Sequence, residues 1–450
     1  MISEPNPSPA AVAKRLHFAA GRVDITPPAP VSLAGVEGRT QAWHSVTTAL
    51  EANALLLADG VVRTLMISAD LLYFGPDLVQ AIHGCAKRFN IAETHVILAA
   101  SHTHFAPATD GSKPRLGAVD PGYQAFAKEK LLSLIEALVT SAMAVVTVEL
   151  VRVVSSLSVN RRLRWRWPTL TSEGFKLGPN VVMAPAPNER RDEYADVLRF
   201  VDMRGVVVCV AWKFACHPVC FPDSLSVCSE YPGHARARLR QQLKLDIPVL
   251  FLQGFTGDVR PRLLGVRTLK DRLHALRRGP GFGEVGMAQW TQWADQVAEV
   301  LCEGVRRPAA LVVTAGLDVT CIDVPMSRII DPVLNPQACE WPLRIQRLVL
   351  GNRLELLFLG AEVCSPYLTM LGAGEHTLCV GYTAHVFGYL PSQRQADEGG
   401  YEGRSYFARF GLAGALQSGF ERAVVDAVLQ LRHRKYRSPN STQAPTEPAC

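Results

Sequence analysis

Across 450 residues the sequence has no uninterrupted apolar run near the ~20 residues that a membrane-spanning helix requires. Its start, Met1 to Pro9, has no basic stretch leading into an apolar one, so no secretory leader is read there. Charge of one sign is scarce: 47 Lys and Arg against 41 Asp and Glu leave a formal +6. That excess is too mild and too dispersed to specify a nucleic-acid partner. Eleven cysteines, an odd number, include no Cys-x-x-Cys pair and form no regular framework. This excludes a disulfide scaffold, and Cys216, Cys220 and Cys228 are read as buried core thiols, not a zinc knuckle. With reduced thiols and no leader, the expected compartment is the cytoplasm. Internal repeats and domain-splitting linkers are also missing.

What is present is an ordinary globular composition, 48% hydrophobic and 20% charged. The Pro-, Ser- and Ala-rich residues 1–14 read as a loose lead-in and 434–450 as a polar, proline-bearing tail, leaving 15–433 as one domain. Apolar, β-branched runs read as buried strands at Leu65–Ser68, Val96–Ala100, Val206–Ala215, Val249–Leu252 and Leu354–Leu359. Leu150–Val159 and Leu311–Ile322 read as further strands. Helices are expected at Tyr123 to about Val145, with Asp120 as N-cap and Pro121 in the first turn, and at Gly233–Leu243, Val285–Arg306 and Gly414–Arg434. Alternating strands and helices predict an α/β protein with mixed sheets flanked by helices.

Four strand ends carry polar groups. Val96–Ala100 leads to His102 and His104, Val206–Ala215 to His217, Val249–Leu252 to Gly257-Asp258, and Leu354–Leu359 to Glu362. In open α/β sheets ligands collect beyond the carboxyl ends of strands, so groups at four such ends can converge without crossing the core. Histidines at i and i+2 of an extended segment point the same way and can meet one ion. A single histidine at a strand end is also compatible with a purely structural hydrogen bond.

These residues, in this order, resemble the neutral, non-lysosomal ceramidases. His102-Thr103-His104, reached through a strand and Ala100-Ser101, resembles the family's His-Thr-His. Asn160-Arg161 resembles its Asn-Arg pair, and His217 the histidine after its central strand. Gly257-Asp258-Val259 with Pro261 is similar to its Gly-Asp-Val-Ser-Pro-Asn hexapeptide. Glu362 matches its mid-chain glutamate, and Tyr389 and Tyr401-Glu402-Gly403, twelve residues apart at the tyrosines, match its paired tyrosines. The resemblance runs from Gly21 to about Phe410 and covers the catalytic domain, without the family's C-terminal immunoglobulin-like module. It implies a Zn2+ ion held by His102, His217, Glu362 and Tyr389, with His104, Arg161 and Tyr401 lining the reaction centre. A zinc-bound hydroxide would then attack the carbonyl of an amide.

The sequence departs from that family where substrate would sit. The hexapeptide serine is Arg260 and its asparagine Arg262, while Ser-Gly-Pro after His-Thr-His becomes Phe105-Ala106-Pro107. Arg260, Phe105 and Asp258 are therefore the expected substrate contacts. Arg162-Leu163-Arg164-Trp165-Arg166-Trp167-Pro168 and the cluster Arg260, Arg262, Arg267, Lys270, Arg272, Arg277 and Arg278 read either as solvated loops or as a cationic mouth for a carboxylate or phosphate. The expectation is a zinc-dependent amidohydrolase acting on a small anionic or N-acylated molecule. A zinc-dependent esterase or lactonase and a non-catalytic binding protein on the same scaffold are the alternatives.

Overall fold

The computed structural model describes residues 15–434 apart from 172–173, 177–179, 266–274 and 276–278. The lead-in 1–14, all of the tail except Arg434, and Arg267, Lys270, Arg272, Arg277 and Arg278 thus lie outside the described residues. The expected strand Leu354–Leu359 shows why every residue in it but Glu355 is apolar. Alternate side chains serve two cores: Leu357 and Leu359 pack towards a helix, while Leu354, Leu356 and Phe358 face other sheets. A nearly continuous apolar sequence is what a strand buried on both faces requires, and Glu355, its one polar residue, is paired with Arg347 and Arg432.

Three sheets repeat this arrangement. The first runs, in hydrogen-bonded order, Val96–Ala100, Arg63–Ala69, Glu51–Ala58, His17–Asp24, Ala144–Val145. The second runs Val249–Gln253, Val207–Phe214, Tyr194–Val201, Thr147–Val154, Leu311–Val313, and the third Leu317–Val324, Leu343–Leu350, Leu354–Leu359, Thr377–Val380. Helices Pro76–Arg88 and Pro121–Thr140 cover the outer face of the first sheet, Glu230–Leu243 and Met287–Arg306 that of the second, and Phe420–His433 that of the third. The inner faces share one core, in which Met66 and Ile97 meet Phe200 and Leu250, and these meet Leu348, Phe358 and Val380. The α/β reading with mixed sheets is correct.

Each sheet has one parallel pair, always at an edge: Arg63–Ala69 with Val96–Ala100, Val207–Phe214 with Val249–Gln253, and Leu354–Leu359 with Thr377–Val380. These edges are stitched together at their carboxyl ends. Ser68 Oγ donates to the Phe251 carbonyl at 2.6 Å, Gly381 N to Gln253 O at 2.9 Å, and Ala384 N to Leu98 O at 2.9 Å. Six carboxyl ends therefore open on one small region.

Several expected boundaries shift. Helix Pro121–Thr140 begins as read, with the Asp120 carboxylate accepting from Tyr123 N at 2.8 Å, but it stops before an edge strand at Ala144–Val145. The stretch 311–322 is two strands because the chain passes there from the second sheet to the third. The stretch 150–159 ends at Val154, and Ser158–Asn160 pairs separately with Val259–Pro261. The last helix starts only at Phe420. All ten described cysteines are free, with Cys216, Cys220 and Cys228 buried as expected.

Candidate metal centre

His102 stands two residues beyond Val96–Ala100, in a left-handed backbone conformation with φ 63°. Its amide is tied to Leu71 O at 2.9 Å, which aims the ring inward. Such a conformation is uncommon for a residue with a side chain and clusters at functional sites. His217 stands three residues beyond Val207–Phe214. Glu362 follows Leu354–Leu359 and registers directly against Tyr389 in a two-residue parallel pairing, which brings together residues 27 apart. Arg161 arrives from the turn beside Ser158–Asn160, its amide bonded to Asp258 O at 2.8 Å.

The two imidazoles meet through Nε2 at 3.0 Å. Behind them, His102 Nδ1 donates to Leu72 O at 3.1 Å and His217 Nδ1 to Thr256 O at 3.2 Å. With Nδ1 carrying the proton in both rings, two lone pairs face one another, an arrangement that a cation between them relieves. Glu362 Oε2 lies 3.6 Å from His102 Nε2 and 3.9 Å from His217 Nε2. These edges bracket the ~3.4 Å that separates ligand atoms around an ion bound tetrahedrally at ~2.0–2.1 Å. His104 Nε2 is 3.3 Å from His102 Nε2, and a ligand atom from each of the three histidines lies within 4.8 Å of the others. The set fits a metal ion.

Burial drives the electrostatics. It holds His102 and His217 well below the usual histidine range, so both rings are neutral and available as ligands. It also pushes the Glu362 carboxyl up to about 7, even though the hydroxyls of Tyr73, Tyr389 and Tyr382 hydrogen-bond to it. Tyr73 donates to Oε1 at 2.5 Å and Tyr382 to Oε2 at 3.4 Å. Burial raises the Tyr389 phenol as well, against the pull of Arg161, whose Nη2 donates to the phenol oxygen at 3.1 Å. Arg161 is itself fixed by Glu402 at 2.7 Å and Gly257 O at 2.7 Å.

His104 differs from its two neighbours in being only half-buried. Burial and the nearby charges of Arg39, Arg161 and Arg260 lower its pKa to about 3. Its ring rests on Gly35, where φ is +93° and a Cβ would come 2.5 Å from Nδ1. Tyr401, also half-buried, sets its ring 5.4 Å from that of Tyr389.

Two expected substrate contacts are placed elsewhere. Phe105 is 4% exposed and packs edge-on against Phe221 in the second sheet's outer core. Asp258 is fully buried, its carboxylate accepting from Asn160 at 3.0 Å, Gln395 at 2.8 Å, and the Ser365 amide and hydroxyl at 2.7 and 2.8 Å. Both side chains are thus buried and engaged within the protein interior. Of the arginine–tryptophan run, Arg162 is buried on Glu402 at 2.8 Å, whereas Trp167 is 69% exposed. Arg260 stands at the edge of the centre, beside Cys220 and Phe282.

Sequence reasoning missed Tyr73, Tyr382 and Arg39. Arg39 donates to the carbonyls of Leu33, Ala34, His104 and Ser224, and so fixes the loop bearing His104. Tyr73 and Tyr382 follow strands Arg63–Ala69 and Thr377–Val380 closely, so the strand-end signal that led to the histidines would have found them.

No protein-family model matches the sequence, and no curated protein matches it. Solved structures do match. A neutral ceramidase from Pseudomonas aeruginosa aligns with a TM-score of 0.69 at 17% identity, covering 96% of this chain and 77% of that one. A ceramidase complexed with C2 aligns with the same values. The fold is therefore the neutral ceramidase fold.

Proposed function

We propose that this chain is a zinc-dependent amidohydrolase that cleaves the C–N bond of a small N-acylated substrate. The facing Nε2 atoms of His102 and His217, each with its Nδ1 proton committed to a carbonyl and Glu362 alongside, carry this reading. His102, His217, Glu362 and Tyr389 would hold the ion. Zinc bound there supplies a Lewis acid and a nucleophile derived from water at neutral pH.

The chain's own residues supply the rest. Arg161, neutralised by Glu402 and bonded to the Tyr389 oxygen, is a positioning residue that favours the electron-rich form of that phenol. His104 is neutral, half-buried and turned through its Nδ1 edge to the Gly35 backbone. Its Nε2, 3.3 Å from His102 Nε2, accepts a hydrogen bond from the attacking water and orients it. The ring stays neutral, so the proton of that water passes to the departing amine nitrogen without resting on His104. Tyr401 accepts a hydrogen bond from Arg409 and keeps its own hydroxyl proton for the carbonyl oxygen as negative charge develops there. No nucleophilic serine enters this scheme, so Arg260 at that position is compatible with catalysis. Tyr401 has no place in a merely metal-binding or storage role, which favours an enzyme.

The test is hydrolysis of a panel of N-acyl amides, each paired with its ester, by protein loaded with zinc and by protein stripped with a chelator. Amide cleavage that is lost on chelation and restored by zinc is expected. Chelator-insensitive turnover, or cleavage of esters alone, would contradict the proposal.

A further inference from the structure

Arg260 lies in the strand Val259–Pro261, where alternation buries Val259 and Pro261 and sends the arginine to the opposite face. Its guanidinium stacks 4.2 Å over the Phe282 ring, and Nη2 donates to Cys220 Sγ at 3.1 Å. Burial raises the Cys220 thiol, so this partner is neutral and leaves the positive charge uncompensated. Nε is buried without a hydrogen-bond partner, and no carboxylate among the described residues forms an ion pair with Arg260. Glu230, the acid beside Cys220, is committed elsewhere: it accepts from the amides of Cys220 at 2.9 Å and Tyr231 at 2.7 Å, and from Trp290 Nε1 at 3.2 Å. Among the cations whose charge reaches His104, Arg161 is neutralised by Glu402 and Arg39 spends its donors on backbone carbonyls. Arg260 differs from both in having no carboxylate or carbonyl partner among the described residues and an Nε without a hydrogen bond.

We infer that Arg260 is the specificity-determining residue of the centre and receives a carboxylate carried by the substrate, which makes the substrates N-acyl amino acids or similar acidic amides. A partly desolvated guanidinium held over a ring, with no carboxylate partner among the described residues, is preorganised for a planar oxyanion. This inference rests on the hydrolase reading above, and its test is chosen to be separable from it.

The test measures binding of hydrolysis-resistant ketomethylene analogues to the zinc-loaded full chain by titration calorimetry. The analogues are those of N-octanoylglycine, of N-octanoylethanolamine, and of the corresponding phosphate monoester. The wild type is expected to bind the carboxylate about 10- to 100-fold more tightly than the neutral alcohol, the range typical of a charge-assisted hydrogen bond. That preference should vanish in Arg260→Gln and partly return in Arg260→Lys, with zinc content unchanged in both. The inference is overturned by an acid that binds no better than the alcohol in wild type, by an unchanged preference in Arg260→Gln, or by tighter binding of the phosphate. Because these analogues need no turnover, failure of the hydrolase reading would appear separately, as amides that bind with this preference and are never cleaved.

Discussion

The centre assembles from side chains whose neighbours decide what each can do. Tyr73 gives Glu362 a hydrogen bond of 2.5 Å from a fully buried position. Tyr73→Phe is expected to weaken zinc binding by about 10- to 100-fold, the usual cost of losing an outer partner of a ligand, as read by competition with a chromogenic chelator. His217→Ala should lose metal and activity together. Glu362 also sets the pH dependence. Its folded-state pKa is raised, to about 7 in the metal-free protein, so the carboxyl is protonated below that value and must lose a proton to bind zinc. Zinc affinity should therefore fall more steeply as pH drops below about 7, by a further roughly tenfold per unit from Glu362. This adds to the pH dependence set by the raised Tyr389 phenol, with no contribution from the histidines, whose values lie well lower. An affinity that stays flat from pH 8 to pH 5.5 would contradict this. At this scale the sequence was informative for the histidines, Glu362 and Arg161, because strand ends and motif order mark them. Phe105 and Asp258 stood in equally suggestive motifs, yet tertiary packing uses one as core and the other as a four-way acceptor. Nothing in the spacing distinguishes these uses.

Elements deliver these residues through their edges. Glu362 and Tyr389 meet because two-residue strands pair in register, and Arg161 is held where Ser158–Asn160 pairs with Val259–Pro261. Strands this short carry no periodicity, which is why only the long buried ones could be read directly. Val96–Ala100 and Leu354–Leu359 matched residue for residue, since burial on both faces makes the first apolar throughout and the second apolar except at Glu355. The link between Arg161, Arg162 and Glu402 is the test at this level. Both arginines are at most 5% exposed in their side chains and share that carboxylate. Glu402→Gln leaves buried Arg161 without its anion and Arg162 with only Glu398 at 3.5 Å, and is expected to cost about 3–5 kcal/mol of unfolding free energy, measurable by urea denaturation. Loss of less than 1 kcal/mol would mean that solvent reaches the pair. Gly35→Ala should act differently: its Cβ would collide with His104 Nδ1, so turnover should drop while zinc content stays near wild type.

On the scale of the whole molecule, three helix-covered sheets share one inner core and turn the carboxyl ends of their parallel edge pairs to a common point. The fold class was legible because strands and helices alternate. The threefold grouping was not, since the sheets differ in strand number and the chain leaves the second for the third within three residues, 314–316. Among the described residues no helix is long and apolar enough to cross a membrane. The proposed ligands come from all three sheets: His102 from the first, His217 from the second, Glu362 from the third. One ion bound by them would tie the sheets together, and zinc at 1,000 times its dissociation constant should add about 4 kcal/mol to stability. Anomalous diffraction at the zinc edge from crystals of the purified protein tests the convergence most directly. The expected result is a single peak within about 2.0–2.3 Å of His102 Nε2, His217 Nε2 and a Glu362 oxygen. A zinc-loaded crystal with no peak at that point, or with its peak elsewhere in the molecule, would contradict it.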